Sequence, residues 1–315
     1  MNRICILGGC GFVGRRLVSV LSKRGYACRL LSRHPQRHIG LKVYPGVELV
    51  KVNQFDSASL QQHFIGCQTV INLIGILNET KKRRFRTIHV ALVDEIVDAA
   101  IKSGASRLLH MSALHADAAK GSSNYLRTKG EGENRAHTHG SSALKVTSFR
   151  PSVIFGPGDG LFNRFASLLS LSPGVFPLAS PHSRFAPVYV GDVAEAFARA
   201  LEDPSTAGAH YDLCGPEIYS LKELVQYCAK QLGLRRLILP LSPSLSRLQA
   251  RLLGVLPGKP FTMDNYHSLQ TDSICSDNGL LALGITPQSL QSHVPAYLAK
   301  QGYRKRFNRF RQVAD

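Results

Sequence analysis

The first 150 residues alternate short apolar runs with longer amphipathic ones. Ile4-Cys5-Ile6-Leu7 is unbroken and apolar, as expected of a parallel strand covered on both faces. From Phe12 the period changes, and Phe12, Val13, Leu17, Val20 and Leu21 share one broad helical face. Further strands are predicted from Ala27 to Leu31, Val47 to Val52, Thr69 to Ile74, Arg107 to Met111 and Lys145 to Phe149. Helices are predicted from Ser57 to Phe64, with Ser57 as cap, from Ile88 to Ser103, and from Asn124 to His137. This alternation predicts an α/β fold, a doubly wound parallel sheet with its ligand at the strand C-termini.

The second half is less regular. Gly156-Pro-Gly158-Asp-Gly160 is a turn cluster expected to open a helix from Leu161 to Leu171. An extended stretch, Val188 to Val190, leads to a helix from Val193 to Glu202 with Asp192 as its expected cap. A strand from His210 to Leu213 and an amphipathic helix from Leu221 to Leu232 follow. Leu241, Leu245, Leu248, Leu252, Leu253 and Leu256 then recur near helical spacing, with Arg247 and Arg251 between them. A basic amphipathic helix either packs its apolar face on the protein or lies in a membrane interface; packing is the expectation. No internal repeat or low-complexity stretch is present.

Between the first strand and the first helix, Gly8, Gly11 and Gly14 fall at G-x-x-G-x-x-G spacing. A strand, a glycine turn and a helix N-terminus in succession form an anion site. Backbone N–H groups and the helix dipole favour a pyrophosphate there, so a dinucleotide site is expected, with Phe12 and Val13 at its edge. The end of the second strand reads Leu31-Ser32-Arg33-His34-Pro35-Gln36-Arg37, and residues 1–47 contain no acidic residue. An acidic contact to a ribose 2′-OH is therefore missing. Arg33, with Arg37 or Arg15, suits a 2′-phosphate, so NADP(H) is expected over NAD(H), Ser32 lying beside it. Asp56 either hydrogen-bonds an adenine amino group or begins the next helix. Leu73, Ile74 and Gly75 are placed to flank the adenosine ribose.

Charge changes the picture next. The net charge of +18 suggests an anionic partner, a phosphate ligand, nucleic acid or anionic lipid, or else a soluble protein that is merely basic. Two stretches concentrate it, Lys81-Lys82-Arg83-Arg84-Phe85-Arg86 and the tail Tyr303-Arg-Lys-Arg-Phe-Asn-Arg-Phe-Arg311. The tail suits an anionic bilayer or RNA phosphates, although no RNA-binding motif supports nucleic acid. No apolar run approaches 18 residues, so no transmembrane helix is expected, and the short N-terminal apolar run is not expected to be a signal peptide. The seven cysteines include no C-x-x-C pair; Cys5, Cys28 and Cys67 read as reduced core residues of a cytosolic protein. No His, Cys and carboxylate set has metal-ligand spacing, and His137-Thr-His139 reads as a polar turn, so no metal is expected.

Candidate chemistry sits after the fifth strand. Ser112 follows it, and thirteen residues later comes Tyr125-Leu-Arg-Thr-Lys129. On a helix Tyr125 and Lys129 lie on one face. An ammonium there stabilises tyrosinate and reaches a nicotinamide ribose. Tyr125 is then the acid/base and Ser112 orients the substrate carbonyl, with Ser122 and Ser123 as rival serines. Pro151 and Val153 leave the sixth strand where their backbone could hold a carboxamide. Arg164 and Arg184 are candidate clamps for an anionic substrate.

In that order Gly8-x-x-Gly11-x-x-Gly14, Asp56, Ser112 and Tyr125-x-x-x-Lys129 resemble the short-chain dehydrogenase/reductase superfamily, in its extended and atypical branches. Tyr125 to Glu133, Phe149 to Phe165, Pro187 to Ala194, Pro260 to Asn265 and Leu269 to Asp272 resemble one atypical group more narrowly. That group contains the NADPH-binding accessory subunit of mitochondrial respiratory complex I and its bacterial relatives. The resemblance implies a Rossmann-type domain over residues 1–155, completed by about 185–215. A smaller, mainly helical C-terminal lobe would take 156–184 and 216–315, ending in the basic tail. It also implies tightly held NADP(H) and either an oxidoreductase acting on a carbonyl or quinone-like small molecule or a respiratory accessory role. The alternative activity is that of a nucleotide-sugar epimerase or dehydratase, more distant cousins whose Ser-to-Tyr spacing is usually longer. The expected setting is the cytoplasm, with peripheral contact at the inner membrane or with respiratory and quinone-pathway proteins. A homodimer paired through Ile88 to Ser103 is a further expectation.

Overall fold

A computed structural model describes residues 3–80, 83–140 and 143–298. In chain order the elements are β1 (Arg3–Leu7), α1 (Phe12–Lys23), β2 (Ala27–Ser32), β3 (Val47–Lys51), α2 (Ser57–Phe64), β4 (Thr69–Asn72), α3 (Leu92–Lys102), β5 (Arg107–Met111), α4 (Asn124–Gly140) and β6 (Lys145–Pro151). There follow β7 (Ile154–Phe155), α5 (Leu161–Leu171), β8 (Val175–Leu178), β9 (Arg184–Phe185), β10 (Val188–Tyr189), α6 (Val190–Glu202) and β11 (His210–Leu213). The last are β12 (Tyr219–Ser220), α7 (Leu221–Gln231), β13 (Leu237–Pro240), α8 (Pro243–Val255), α9 (Met263–Ser268) and α10 (Gly279–Ala282). Two compact units form. The first holds the described residues up to Pro151, Gly191–Leu213 and Asp277–Thr286; the second holds Ser152–Val190, Cys214–Ser276 and the described residues from Pro287 on.

The first unit is built on a seven-stranded sheet in the order β11-β6-β5-β4-β1-β2-β3, every pairing parallel. The chain runs outward from β1 to β3, crosses back, and runs out again from β4. Strand order therefore reverses between β1 and β4, where Leu7 pairs with Leu31 on one side and Asn72 on the other. In such sheets ligands bind outside the carboxyl ends at this reversal. The central strands β1, β4 and β5 are almost wholly buried, as expected where helices cover both faces of a sheet. Leu60, Phe64, Val93, Ile96 and Val97 of α2 and α3 pack in one core with Cys5, Leu7, Val70 and Leu108 of the sheet. Farther along, the Phe149 ring packs tilted against Phe197 at 4.1 Å and stacks with Tyr211 at 5.9 Å.

Several boundaries differ from the sequence pattern, each for a visible reason. β4 ends at Asn72, where its side-chain oxygen accepts the Ile74 N–H at 3.0 Å and turns the chain. Asp56, not Ser57, caps α2, accepting the Ser59 N–H at 2.9 Å. Residues Thr87–Ala91 form a π turn before α3, with His89 in the core. α4 runs on to Gly140, so His137 and His139 lie on a helix rather than a turn. Asp192 sits inside the first turn of α6, which starts at Val190. On α3 the residues Leu92, Val93, Ile96, Val97, Ala99 and Ala100 are buried within the unit, so that apolar face is not free to pair across a two-fold axis.

Among its described residues the second unit has three two-stranded sheets: β10-β7, β12-β9 and β13-β8. Asp159 of the glycine-rich turn caps α5, accepting the Phe162 N–H at 2.7 Å, while Tyr297 donates to its other oxygen at 2.6 Å. Ser220 and Glu223 form a reciprocal capping box on α7. Cys5, Cys28 and Cys67 are free and buried, but Cys214 and Cys275 form a disulfide, with Cα atoms 6.0 Å apart. α8 departs most from expectation. It packs through its small residues, Ser246 and Ala250, and leaves Leu245, Leu248 and Leu252 exposed.

Candidate active site

The glycine turn joins β1 to α1. Gly8 has φ +78°, and a Cβ there would press on the Leu73 carbonyl carbon at 3.0 Å, so the turn lies directly against the chain leaving β4. A Cβ on Gly14 would stand 2.5 Å from the Gly8 carbonyl oxygen, so α1 can begin this close to β1 only without a side chain. The cap residue is Gly11, which brings no side chain to the helix N–H groups, and the first turn has no acid. These uncapped N–H groups at the sheet reversal fit a dinucleotide pyrophosphate.

Arginine and histidine side chains gather at the end of β2. The Arg15 guanidinium contacts His38 Nδ1 at 3.0 Å and also donates to the Cys10 carbonyl at 3.0 Å. Burial lowers the His38 pKa, and the charges of Arg15, Arg37 and His34 lower it further. Arg37, Arg15, His34 and His38 are thus brought together, while Arg33 is exposed just past the strand and Ser32 Oγ accepts the His34 N–H at 3.2 Å. The sequence reading missed His38; it sits on a 3-10 segment, Pro35–Val43, that no hydrophobic period announced. Leu73 N–H bonds to the Leu7 carbonyl at 3.0 Å, and Gly75 lies beside His89 Nε2. The Asp56 carboxylate is engaged as the α2 cap.

The inner face of α4 carries Tyr125, Lys129, Glu133 and His137 at four-residue steps, a polar ladder facing the sheet. Tyr125 is half-buried, its ring closed in by Phe85 at 6.0 Å and His89 at 5.6 Å. Burial pushes its hydroxyl up to about 12. Lys129 is buried and donates to the Met111 carbonyl at the end of β5. Burial pushes its ammonium down to about 8, against the opposing charge of Glu133. Ser112 N–H donates to the Phe149 carbonyl at 2.7 Å, while its buried Oγ makes no hydrogen bond of good geometry. That hydroxyl nevertheless lies near the Glu133 carboxylate and favours its ionisation. Ser123 is a helix cap, accepting the Leu126 N–H at 3.1 Å.

His89 is fixed in one tautomer. Its Nε2 accepts the Ile76 N–H at 3.1 Å, so Nδ1 carries the proton facing Thr128 Oγ1 at 3.0 Å. Glu133 is 1% exposed, and its Oε1 takes Arg150 Nε at 2.8 Å and His210 Nδ1 at 2.6 Å. Burial alone would raise its pKa, but the His210 bond, the nearby Ser112 hydroxyl and the Arg150 charge bring it down to about 2. Ligand atoms of Glu133, His137 and His210 lie within 4.8 Å of one another, a cluster that linear spacing did not reveal. The Arg150 guanidinium already supplies positive charge to this carboxylate, which works against a metal cation. Four-residue steps after Lys129 were the available signal for Glu133 and His137. The packing of α4 here also requires glycine, because a Cβ on Gly132 would stand 1.8 Å from the His89 carbonyl oxygen. Gly132→Ala is expected to destabilise the protein by about 3 kcal/mol in thermal or urea melts. Gly160→Ala, with nothing within 4 Å of a Cβ, is the control expected to stay near wild type.

Pro151 closes β6, its carbonyl accepting the Leu114 N–H at 3.1 Å, and in the second unit the Val153 carbonyl accepts the Val188 N–H at 3.0 Å. Arg184 is taken by Asp272 at 2.8 Å, and Arg164 donates to the Pro260 carbonyl at 3.3 Å. Arg84 pairs with Glu79 and Arg86 with Glu131, so part of the basic 81–86 loop is internally neutralised; Lys81, Lys82 and the tail 303–311 lie outside the described residues.

Residues 4–214 match the NAD dependent epimerase/dehydratase family. The chain belongs to this family. Its members are NAD(P)-dependent, and the glycine turn at the sheet reversal fits such a cofactor. The chain is similar to NADH dehydrogenase (ubiquinone) 1 alpha subcomplex subunit 9, mitochondrial, of Rattus norvegicus. The two are 29% identical over 298 residues, which is 91% of this chain and 77% of that protein. It is also 29% identical to a ceramide reductase of Caulobacter vibrioides over 234 residues, 73% of this chain and 70% of that one. Among solved structures, UDP-glucose 4-epimerase of Thermus thermophilus in complex with NAD superposes with a TM-score of 0.72 at 21% identity. That match covers 94% of this chain and 97% of the epimerase, a likeness of fold. Among the described residues no helix is long and apolar enough to cross a membrane.

Proposed function

We propose that this family member binds NADP(H) in preference to NAD(H) and acts as an oxidoreductase of the short-chain dehydrogenase/reductase type on a carbonyl or quinone-like substrate. The carrying observation is the pair of guanidiniums, Arg15 and Arg37, grouped with His34 and His38 at the end of β2, where an NAD site puts a carboxylate. When bound, the nicotinamide supplies or accepts a hydride. Tyr125, kept protonated through neutral pH by burial, donates a proton to the substrate oxygen in the reducing direction. Lys129 holds a positive charge one helical turn away, and Ser112 lies at the end of β5 beside the same helix.

A second reading has its own support. Lys129 donates to the Met111 carbonyl, and burial is what raises the Tyr125 hydroxyl. Together with the similarity to a respiratory subunit, this favours NADP(H) held as a structural ligand in a respiratory or quinone-pathway assembly. No residue pattern at the end of β2 favours the NAD recycling that a nucleotide-sugar epimerase needs.

Titration of ligand-free protein with NADPH and NADH, read by nicotinamide fluorescence, tests the cofactor assignment. NADPH is expected to bind about 100-fold tighter, and Arg33→Ala or Arg37→Ala to remove about tenfold of that while sparing NADH, from loss of a charge-assisted contact. Equal affinities for the two nucleotides would reject the NADP(H) reading.

A further inference from the structure

α8 is folded inside out by the standard of a surface helix. Its covered side carries Ser246 and Ala250, with the Ser246 hydroxyl accepting the Ser180 N–H at 3.4 Å and Gln249 donating to the Pro177 carbonyl at 3.0 Å. Leu245, Leu248, Leu252 and Val255 recur at three- and four-residue steps on the opposite side, and they are 50%, 50%, 60% and 83% exposed. A stripe of this kind on a monomer surface marks an interaction site. In the same unit β8 and β13 leave further apolar side chains open, with exposed Val175 paired in register with exposed Leu237.

Charge selects the occupant. Residues 224–263 contain six Lys or Arg and no Asp or Glu. Arg247 and Arg251, four residues apart and both exposed, run along one edge of the leucine stripe. An apolar stripe bordered by a row of guanidiniums matches a surface that is apolar below and anionic at one fixed height. Thirteen residues make a helix about 20 Å long, too short to cross a bilayer and long enough to lie in its interface.

We infer that the outer face of α8 is a docking surface for an anionic lipid bilayer, with Leu245, Leu248 and Leu252 among the acyl chains and Arg247 and Arg251 at the headgroup phosphates. This holds whichever reading of the nucleotide site is correct.

The test is co-sedimentation of the full chain with phosphatidylcholine vesicles, with and without phosphatidylglycerol. Binding is expected only with phosphatidylglycerol, and it weakens as salt rises. Leu248→Gln/Leu252→Gln is expected to weaken it at least about tenfold, since two buried apolar contacts are lost. Arg247→Ser/Arg251→Ser is expected to remove most of the phosphatidylglycerol dependence. All four side chains are exposed, so far-UV circular dichroism and melting temperature should match wild type. Unchanged binding by the leucine variant would move the attraction to other basic segments and overturn the proposal. So would no vesicle binding at all, or a leucine variant that changes self-association alone, which would make the occupant a second copy of the chain.

Discussion

The melting temperature of this protein is expected to fall steeply as pH drops from 6.5 to 4.5. His89 and His110 are both buried, and burial followed by the Lys129 charge pushes each down to about 3. His137 is held down to about 4 by burial and then by His210. In the unfolded chain a histidine titrates near 6.5. Above that pH both states hold neutral rings, and the stability these groups contribute is fully present. Below it the unfolded chain takes up protons that the folded chain refuses, so stability is lost with falling pH until the folded pKa is passed. At pH 4.5 each of His89 and His110 accounts for about 2.7 kcal/mol, at 1.36 kcal/mol per unit. Together that is a large share of the ~5–15 kcal/mol that holds a domain folded. Glu133, brought down to about 2, adds a loss of the same sign below about pH 4.5. Thermal melts by circular dichroism from pH 7.5 to 4.5 check this, and His110→Leu should flatten the slope by roughly one proton. A melting temperature constant across the range would show that the rings are protonated in the folded state.

The acid-sensitive groups also show where sequence reading stops. The glycine turn and the strand–helix alternation were legible because they are local: each depends on a period or a spacing within about fifteen residues. Tyr125 and Lys129 were legible for the same reason, and Glu133 and His137 could have been, by continuing the four-residue step. His210 was not, because it reaches Glu133 across 77 residues through the pairing of β11 with β6. His38 reaches Arg15 across 23 residues, and Cys214 reaches Cys275 across 61. The leucine repeat of α8 was visible as a period, but a period does not say which side of a helix the protein covers. That was decided by Ser246 and Ala250, small enough to let the helix approach, and it left the leucines outside. Asp56 carried two readings in the sequence, and its carboxylate caps α2.

Tyr125→Phe separates the two uses of the nucleotide site. The substitution keeps the ring against Phe85 and His89 and removes only the hydroxyl, so fold and nucleotide affinity should be unchanged. If the protein is a reductase, NADPH-dependent turnover of a carbonyl or quinone-like acceptor falls by about 10²–10⁴-fold, the usual contribution of a positioned acid. The pH dependence carries the second half of the test. With the Tyr125 hydroxyl at about 12 the proton donor is present throughout the neutral range, so the limb that matters belongs to Lys129. Its ammonium is pushed down to about 8, so the reduction rate should hold below that pH and fall above it as the charge is lost. Initial rates of NADPH oxidation from pH 6 to 10, for wild type and Tyr125→Phe, measure both. If NADP(H) is a structural ligand, the wild type shows no acceptor-dependent oxidation at any pH. NADPH retention is then the same with phenylalanine at position 125, because what holds the nucleotide is the glycine turn and the guanidinium pair, and neither depends on the tyrosine hydroxyl.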